Sequence, residues 1–127
     1  MAEMQVALRQ RIATAVGHDR VFWTIVPQGA ELPHVRLQTV SDPRPEHLKG
    51  PIGLRETRVQ VDVMARKYGE ARPAAEAIIQ GVAQPATVEG VQFSRIRAEG
   101  PRDLGEDTSS GYVHRLSSDL LVWHSLA

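Results

Sequence analysis

The sequence has no cysteine. That excludes a disulfide framework and any thiolate metal site, and it fits a reducing compartment. The chain also lacks an excess of either charge, since 15 Lys and Arg residues cancel 15 Asp and Glu residues. A balanced chain has no broad positive field to hold nucleic acid non-specifically, so a partner held by global charge is not expected. Long apolar runs are missing too. None approaches the ~20 residues that span a bilayer, and no membrane partner is expected. The opening "MAEMQVALRQRIATAV" has no basic start followed by an apolar block, so it does not read as a signal peptide. The expectation is a soluble protein made and kept in the cytoplasm.

Catalytic signatures are absent as well. There is no G-x-S-x-G elbow, no G-x-x-x-x-G-K-[ST] or G-x-G-x-x-G phosphate loop, and no H-E-x-x-H pair. The five histidines, at 18, 34, 47, 114 and 124, show no compact ligand spacing, so no metal is expected. Ser117, Ser118, Asp119 and His124 do not make a triad on one strand. Asp119 and His124 are an odd number apart and point to opposite faces. "DLGEDTSSG" at 103–111 has a calcium loop's composition but neither its ligand spacing nor its final Glu. These absences argue against an enzyme and against a cofactor.

What is present is a two-period pattern in a chain of 127 residues, the length of one domain. Met4, Leu8, Ile12, Ala15 and Val16 recur at helical spacing and predict a helix over 3–16, stopped by Gly17. Strands are predicted over 20–26 and 34–41. In "RVQVDVMA", Val59, Val61, Val63 and Ala65 alternate with polar residues, which predicts a strand over 57–66 covered on one side. The period changes at Tyr68-Gly69. Ala71, Ala74, Ala75, Ile78, Ile79 and Val82 then make one arc of a helix over 70–84, with Pro73 placed near its first turn. The alanines keep this face thin, so the helix can lie close on the valine strand.

Residues 91–99 read as a strand whose apolar phase slips between Phe93 and Ile96, the mark of a bulge. Residues 113–125 read as a last strand, apolar on both faces at Leu120–Trp123. Two glycine- and proline-rich stretches, 42–56 and 100–112, read as long loops of a functional kind. The fold class is therefore α+β: a small mixed, mostly antiparallel sheet with two helices packed on one face. Either the loops or another subunit must cover the far face. Arg95 and Arg97 beside Phe93 allow a second reading, a small module that binds RNA or a small ligand on the sheet face. Their pairing with Asp62 or Asp119 is the plainer one.

The order of motifs resembles a family. "LRQRIATAVGHDRVFWTIVPQGAELPHVRLQTVS" is similar to the opening of the siphophage tail-completion proteins. These are the head-to-tail joining or tail-terminator proteins, also found in prophages and gene transfer agents. The matching pieces are Gly17, Arg20-Val21-Phe22, Pro27-Gln28-Gly29 and Leu32-Pro33-His34-Val35. "RVQVDVMARKYGEA" resembles the family's central strand and helix start, with Met64 where an aromatic is common. Arg115, Ser117, Asp119, Leu120 and Trp123 fit its closing strand.

The resemblance implies a structural, non-enzymatic virion or gene-transfer-agent component without cofactors. Such proteins form homo-oligomeric rings, commonly hexamers, that cap the tail tube and dock to the head–tail connector. DNA passes through the lumen without sequence readout. The place implied is the producing bacterial cell's cytoplasm during assembly, then the particle's neck and tail. Exposure and charge nominate the interface residues: Arg44, His47, Lys49 and Arg55 in the first loop, and Arg102, Asp103, Glu106 and Asp107 in the second. Loops of this kind would order on contact with a tube end.

Overall fold

The period change read from the sequence is the centre of the fold. In the computed structural model, which describes residues 3–44, 46–47, 50–51 and 53–126, Arg55–Ala65 is one strand and Tyr68–Gly81 the helix that follows it. Val59, Val61, Val63 and Ala65 are buried on the strand, and Ala71, Ala75 and Ile78 on the helix. The helix begins two residues earlier than the expected start at 70, so Pro73 falls inside it, in the second turn. There it removes the bond to the carbonyl of Gly69.

In chain order the elements are α1 (Met4–Val16), β1 (Val21–Trp23), β2 (His34–Ser41), β3 (Glu46–His47), β4 (Gly50–Pro51), β5 (Arg55–Ala65), α2 (Tyr68–Gly81), β6 (Ala86–Val88), β7 (Val91–Thr108) and β8 (Gly111–Leu126). Six strands form one sheet in the order β1-β2-β5-β8-β7-β6, while β3 and β4 pair separately. β1 runs parallel to β2, and every other pair is antiparallel. Both helices share one face and one apolar core with the inward residues of the sheet. Fully burying Leu8, Ile12, Leu37, Leu116, Leu120 and Phe93 stabilises by about 1.5–3 kcal/mol each. No described helix is long and apolar enough to cross a membrane.

The helices meet at a close approach. A Cβ on Gly81 of α2 would lie 2.7 Å from the Ala15 Cβ of α1. Arg11 of α1 fastens the same joint, donating to the carbonyls of Gly81 at 3.3 Å and Gln84 at 2.8 Å. Its cation thus sits at the negative end of α2. α1 ends as its sequence requires, with Gly17 at φ 80 and its N–H on the Ala13 carbonyl.

The observed elements depart from the expected ones in four places. β1 stops at Trp23 instead of running to 26, because Thr24 takes φ 59, a conformation that ends extension. Residues 86–88, for which the sequence predicts no element, pair with β7 as the edge strand β6. Part of 42–56 is strand, in β3, β4 and the start of β5. The largest correction concerns 100–112. It is not a loop but the continuation of β7 and β8, closed by a tight turn at 109–110. Its glycine and proline sit at a bulge between Glu99 and Arg102, where Gly100 has φ 104. Beyond Phe93 the outer side of β7 pairs with no described strand, so Pro101 forfeits no ladder bond there. The bulge expected after Phe93 is present, between Phe93 and Arg95.

Candidate functional site

Three polar regions stand out around this frame. The first is the sheet face turned away from the helices. Alternation puts Arg36 of β2, Arg58, Gln60 and Asp62 of β5, Arg115, Ser117, Asp119, Leu121 and Trp123 of β8, and Arg95, Arg97 and Glu99 of β7 on it. Asp62 has no exposed surface. It accepts from Arg36 at 3.0 Å and from Gln60 at 3.1 Å, and Arg115 lies at 3.3 Å. Burial alone would raise its pKa. Hydrogen bonds from Ser117, Gln60 and Arg36 and the charge of Arg115 outweigh that and hold the carboxyl below the ordinary range.

Asp119 is likewise gripped by Arg58 at 2.9 Å and Arg102 at 3.6 Å. Glu99 is gripped by Arg97 at 3.3 Å and Arg58 at 3.6 Å. Arg95 stacks over Trp123 with 5.3 Å to the ring centroid. The acids expected as ion-pair partners are therefore paired, but with Arg36, Arg115, Arg58 and Arg102 rather than with Arg95 and Arg97. Cross-strand register decides which arginine meets which acid, and the sequence does not state the register. Leu121, which made the last strand look apolar on both faces, is buried between Arg58 and Arg97 in register. Arginine stems flank it.

The second region is the root of the 42–54 connection. Arg55 is paired with Asp42, and Arg44 reaches the same carboxylate at 3.7 Å. Thr57 donates through Oγ1 to Asp42 Oδ1 at 2.9 Å. Its single proton is spent there, so the His124 ring donates through Nε2 to Thr57 Oγ1 at 2.8 Å. Burial, then the charge of Arg55, pushes the His124 pKa down. Hydrogen bonds from Thr57 and Arg55 outweigh burial at Asp42 and hold its carboxyl below the usual range.

The third region is the hairpin arm made by the ends of β7 and β8. Tyr68 donates to Asp103 at 3.2 Å. His114 stacks edge-on with Tyr68 and Tyr112. The Tyr112 ring lies across Gly105, where a Cβ would collide with its hydroxyl and come within 2.6 Å of Cζ. Glu106 and Asp107 are exposed and have no ion-pair partner among the described residues.

The nominated residues thus divide between two places. Arg44 is exposed beside the loop root, whereas Arg55 is part of the clamp that holds that root. Lys49 and the side chain of His47 lie outside the described residues. Arg102, Asp103, Glu106 and Asp107 lie on the arm. The loop root sits where β5 begins beside the end of β8, at Arg55↔His124. The arm tip sits where β8 begins, past Ala65↔His114. The two clusters occupy opposite ends of the sheet. No group of three or more metal-ligating side chains is found among the described residues. A groove of about 950 Å³ runs along α1 and β1, lined by Gln5, Arg9, Trp23 and Thr39 among others.

Sequence comparison covers nearly the whole of this frame. Residues 2–124 match the model of the tail completion protein gp17 family. The chain belongs to that family. It is thereby a structural, non-enzymatic tail protein whose partners are found among other tail proteins. The fold agrees. A chain from a solved virion of a native gene transfer agent particle superposes with a TM-score of 0.58 and 16% identity, over 97% of this chain and 92% of that one. No curated protein matches by sequence. For this tail completion protein the sequence named Asp62 as an ion-pair partner but not its burial or its partners Arg36, Arg115 and Ser117, each a polar residue inside an apolar strand. Polar residues on an alternate phase normally signal solvent, and the buried carboxylate shows only in three dimensions.

Proposed function

We propose that this tail completion protein caps the end of the tail tube as a ring of identical copies and joins the tail to the head connector. The observation that carries the reading is that the nominated exposed residues with described side chains lie at opposite ends of one sheet. A joining piece must meet two different structures, and this subunit offers Arg44 at one end and Glu106 and Asp107 at the other. A ring further requires two different lateral surfaces. The sheet has two unlike edges, β1 and β7/β6. The fold shared with a gene transfer agent virion chain supports placement in the particle's neck or tail. Assembly takes place in the cytoplasm of the producing cell, and DNA passes through the lumen without base readout. Of the eight nominated contacts, Arg44, His47, Lys49, Arg102, Glu106 and Asp107 are kept in this reading, while Arg55 is held by Asp42 and Asp103 by Tyr68.

Ordering on contact cannot come from 100–112, which is already a paired hairpin. The test is deletion of the gene in its producing cell, followed by electron microscopy of the particles. Unjoined heads, together with tubes of irregular length, are expected, and the intact chain supplied in trans restores joining. Joined particles with normal tubes in the deletion strain would overturn the proposal.

A further inference from the structure

The Arg95–Arg97 surface and the acidic tip of the arm are opposite in charge, yet they cannot meet within one molecule. Six arginines occupy the far face, at 36, 58, 95, 97, 102 and 115, against the carboxylates Asp62, Glu99, Asp119 and, at the margin, Glu56. Arg95 and Arg97 are exposed cations of this face, as is Arg102, which Asp119 holds at 3.6 Å. Arg97 shares Glu99 with Arg58, and Arg95 has only the Trp123 ring as partner among the described residues. The arm tip carries the opposite charge at Glu106 and Asp107, with Leu104 and Tyr112 exposed beside them and Arg66 donating to the Ser110 carbonyl at its turn at 2.7 Å. Arg97 and Glu106 lie on the same strand. Nine residues of strand span roughly 30 Å, and pairing with β8 over the whole length keeps that strand extended. The arm therefore cannot fold back onto its own Arg95 and Arg97.

We infer that the acidic tip of the arm of one copy docks on the Arg95–Arg97 surface of the next copy. Such a contact joins two unlike patches, so repetition closes a ring if the rotation permits. The bulges at Phe93/Arg95 and Glu99/Arg102 and Pro101 break the exposed edge of β7. These features oppose indiscriminate strand pairing and leave side-chain charge to select the neighbour. The inference rests on the ring reading proposed above and names the contact that builds the ring.

The absence of cysteine makes the test clean. The variant carrying both Arg97→Cys and Glu106→Cys is expressed in the producing cell in place of the native chain, and its particles are purified and oxidised. A ladder of disulfide-linked oligomers on a non-reducing gel is expected, with no species beyond a dimer from either single variant. Joined particles that yield only monomer overturn the contact and leave the ring reading standing. Particles that never contain the unaltered chain overturn the ring reading itself.

A second measurement avoids new bonds. Reversing Arg95 and Arg97 to Glu, or Glu106 and Asp107 to Lys, should each reduce incorporation into particles about tenfold or more, as loss of close charge pairs does. Combining the two reversals in one chain should restore it to within about threefold, since the pairs re-form with opposite sign. No rescue, with both singly reversed proteins still folded, overturns the inference. Loss restored instead by added DNA would assign the arginines to nucleic acid and overturn it too.

Discussion

Asp62→Asn tests the organisation of the far sheet face. The substitution keeps the shape and removes the charge. Asp62 is wholly buried, while the side chains of Arg36 and Arg115 remain 30% and 31% exposed. Breaking a fully buried ion pair costs about 3–5 kcal/mol because the partner is left uncompensated. Here the two arginines can turn partly to water, which lowers the expected cost to about 2–3 kcal/mol near neutral pH. For a chain of this length that is a fall in Tm of about 6–15 °C.

The pH dependence carries a sign. The folded-state pKa of Asp62 is depressed. Its contribution is therefore complete above the unfolded value of about 3.9 and is lost as pH falls through the lower folded value. Urea melts of both proteins between about pH 7 and about pH 3 should show their stabilities converging at the acid end. A difference below about 0.5 kcal/mol at neutral pH, the size of an ordinary surface substitution, would refute the reasoning. So would a gap that stays constant into acid.

Other perturbations probe other joints. Gly81→Ala should destabilise by about 1–2 kcal/mol through the contact with Ala15, and adding Ala15→Gly should recover most of it in thermal melts. Arg11→Met removes both donors to the end of α2 and should cost about 1–2 kcal/mol in denaturant melts. The folded-state pKa of His124 is depressed, so its stabilising contribution is present above about 6.5 and fades as pH falls. His124→Asn should therefore flatten the decline in Tm that the native chain shows on moving from about pH 7.5 to about pH 5.5.

Legibility followed burial. The α1 stripe, the valine strand and the alanine helix were readable because their apolar periods match the faces they cover, and Gly17 marks its own turn. The bulge after Phe93 was readable because the apolar phase slipped there. The arm was not readable. Its residues are exposed on both faces, so no period survives, and Gly100, Pro101 and Gly105 spoke for a loop. Each glycine has a strand reason instead: Gly100 for its φ at the bulge, and Gly105 for the Tyr112 ring that crosses it. β6 is three residues long, too short to show alternation. The polar clamp of Asp42, Thr57 and His124 joins residues 15 and 67 positions apart, a spacing set by topology alone.

The same physics explains why a structural protein hides a carboxylate under two arginines on an uncovered sheet face. A sheet with one face packed on helices ordinarily leaves the other to water. An apolar far face would stick to any comparable surface, whereas loosely held surface ions would order nothing. Carboxylates each gripped by two arginines give a face that is ordered and polar, with Arg95 and Arg97 kept in place by Trp123 and Glu99. Such a face resists adhesion in the single copy and discriminates sharply by charge once a partner's acids arrive. The ring proposed above would gain from both properties. Under the contact proposed above, Asp119 and Glu99 fix Arg58 and Arg97 on the face where Arg95 and Arg97 are presented, while Asp62 fixes Arg36 and Arg115 beside them.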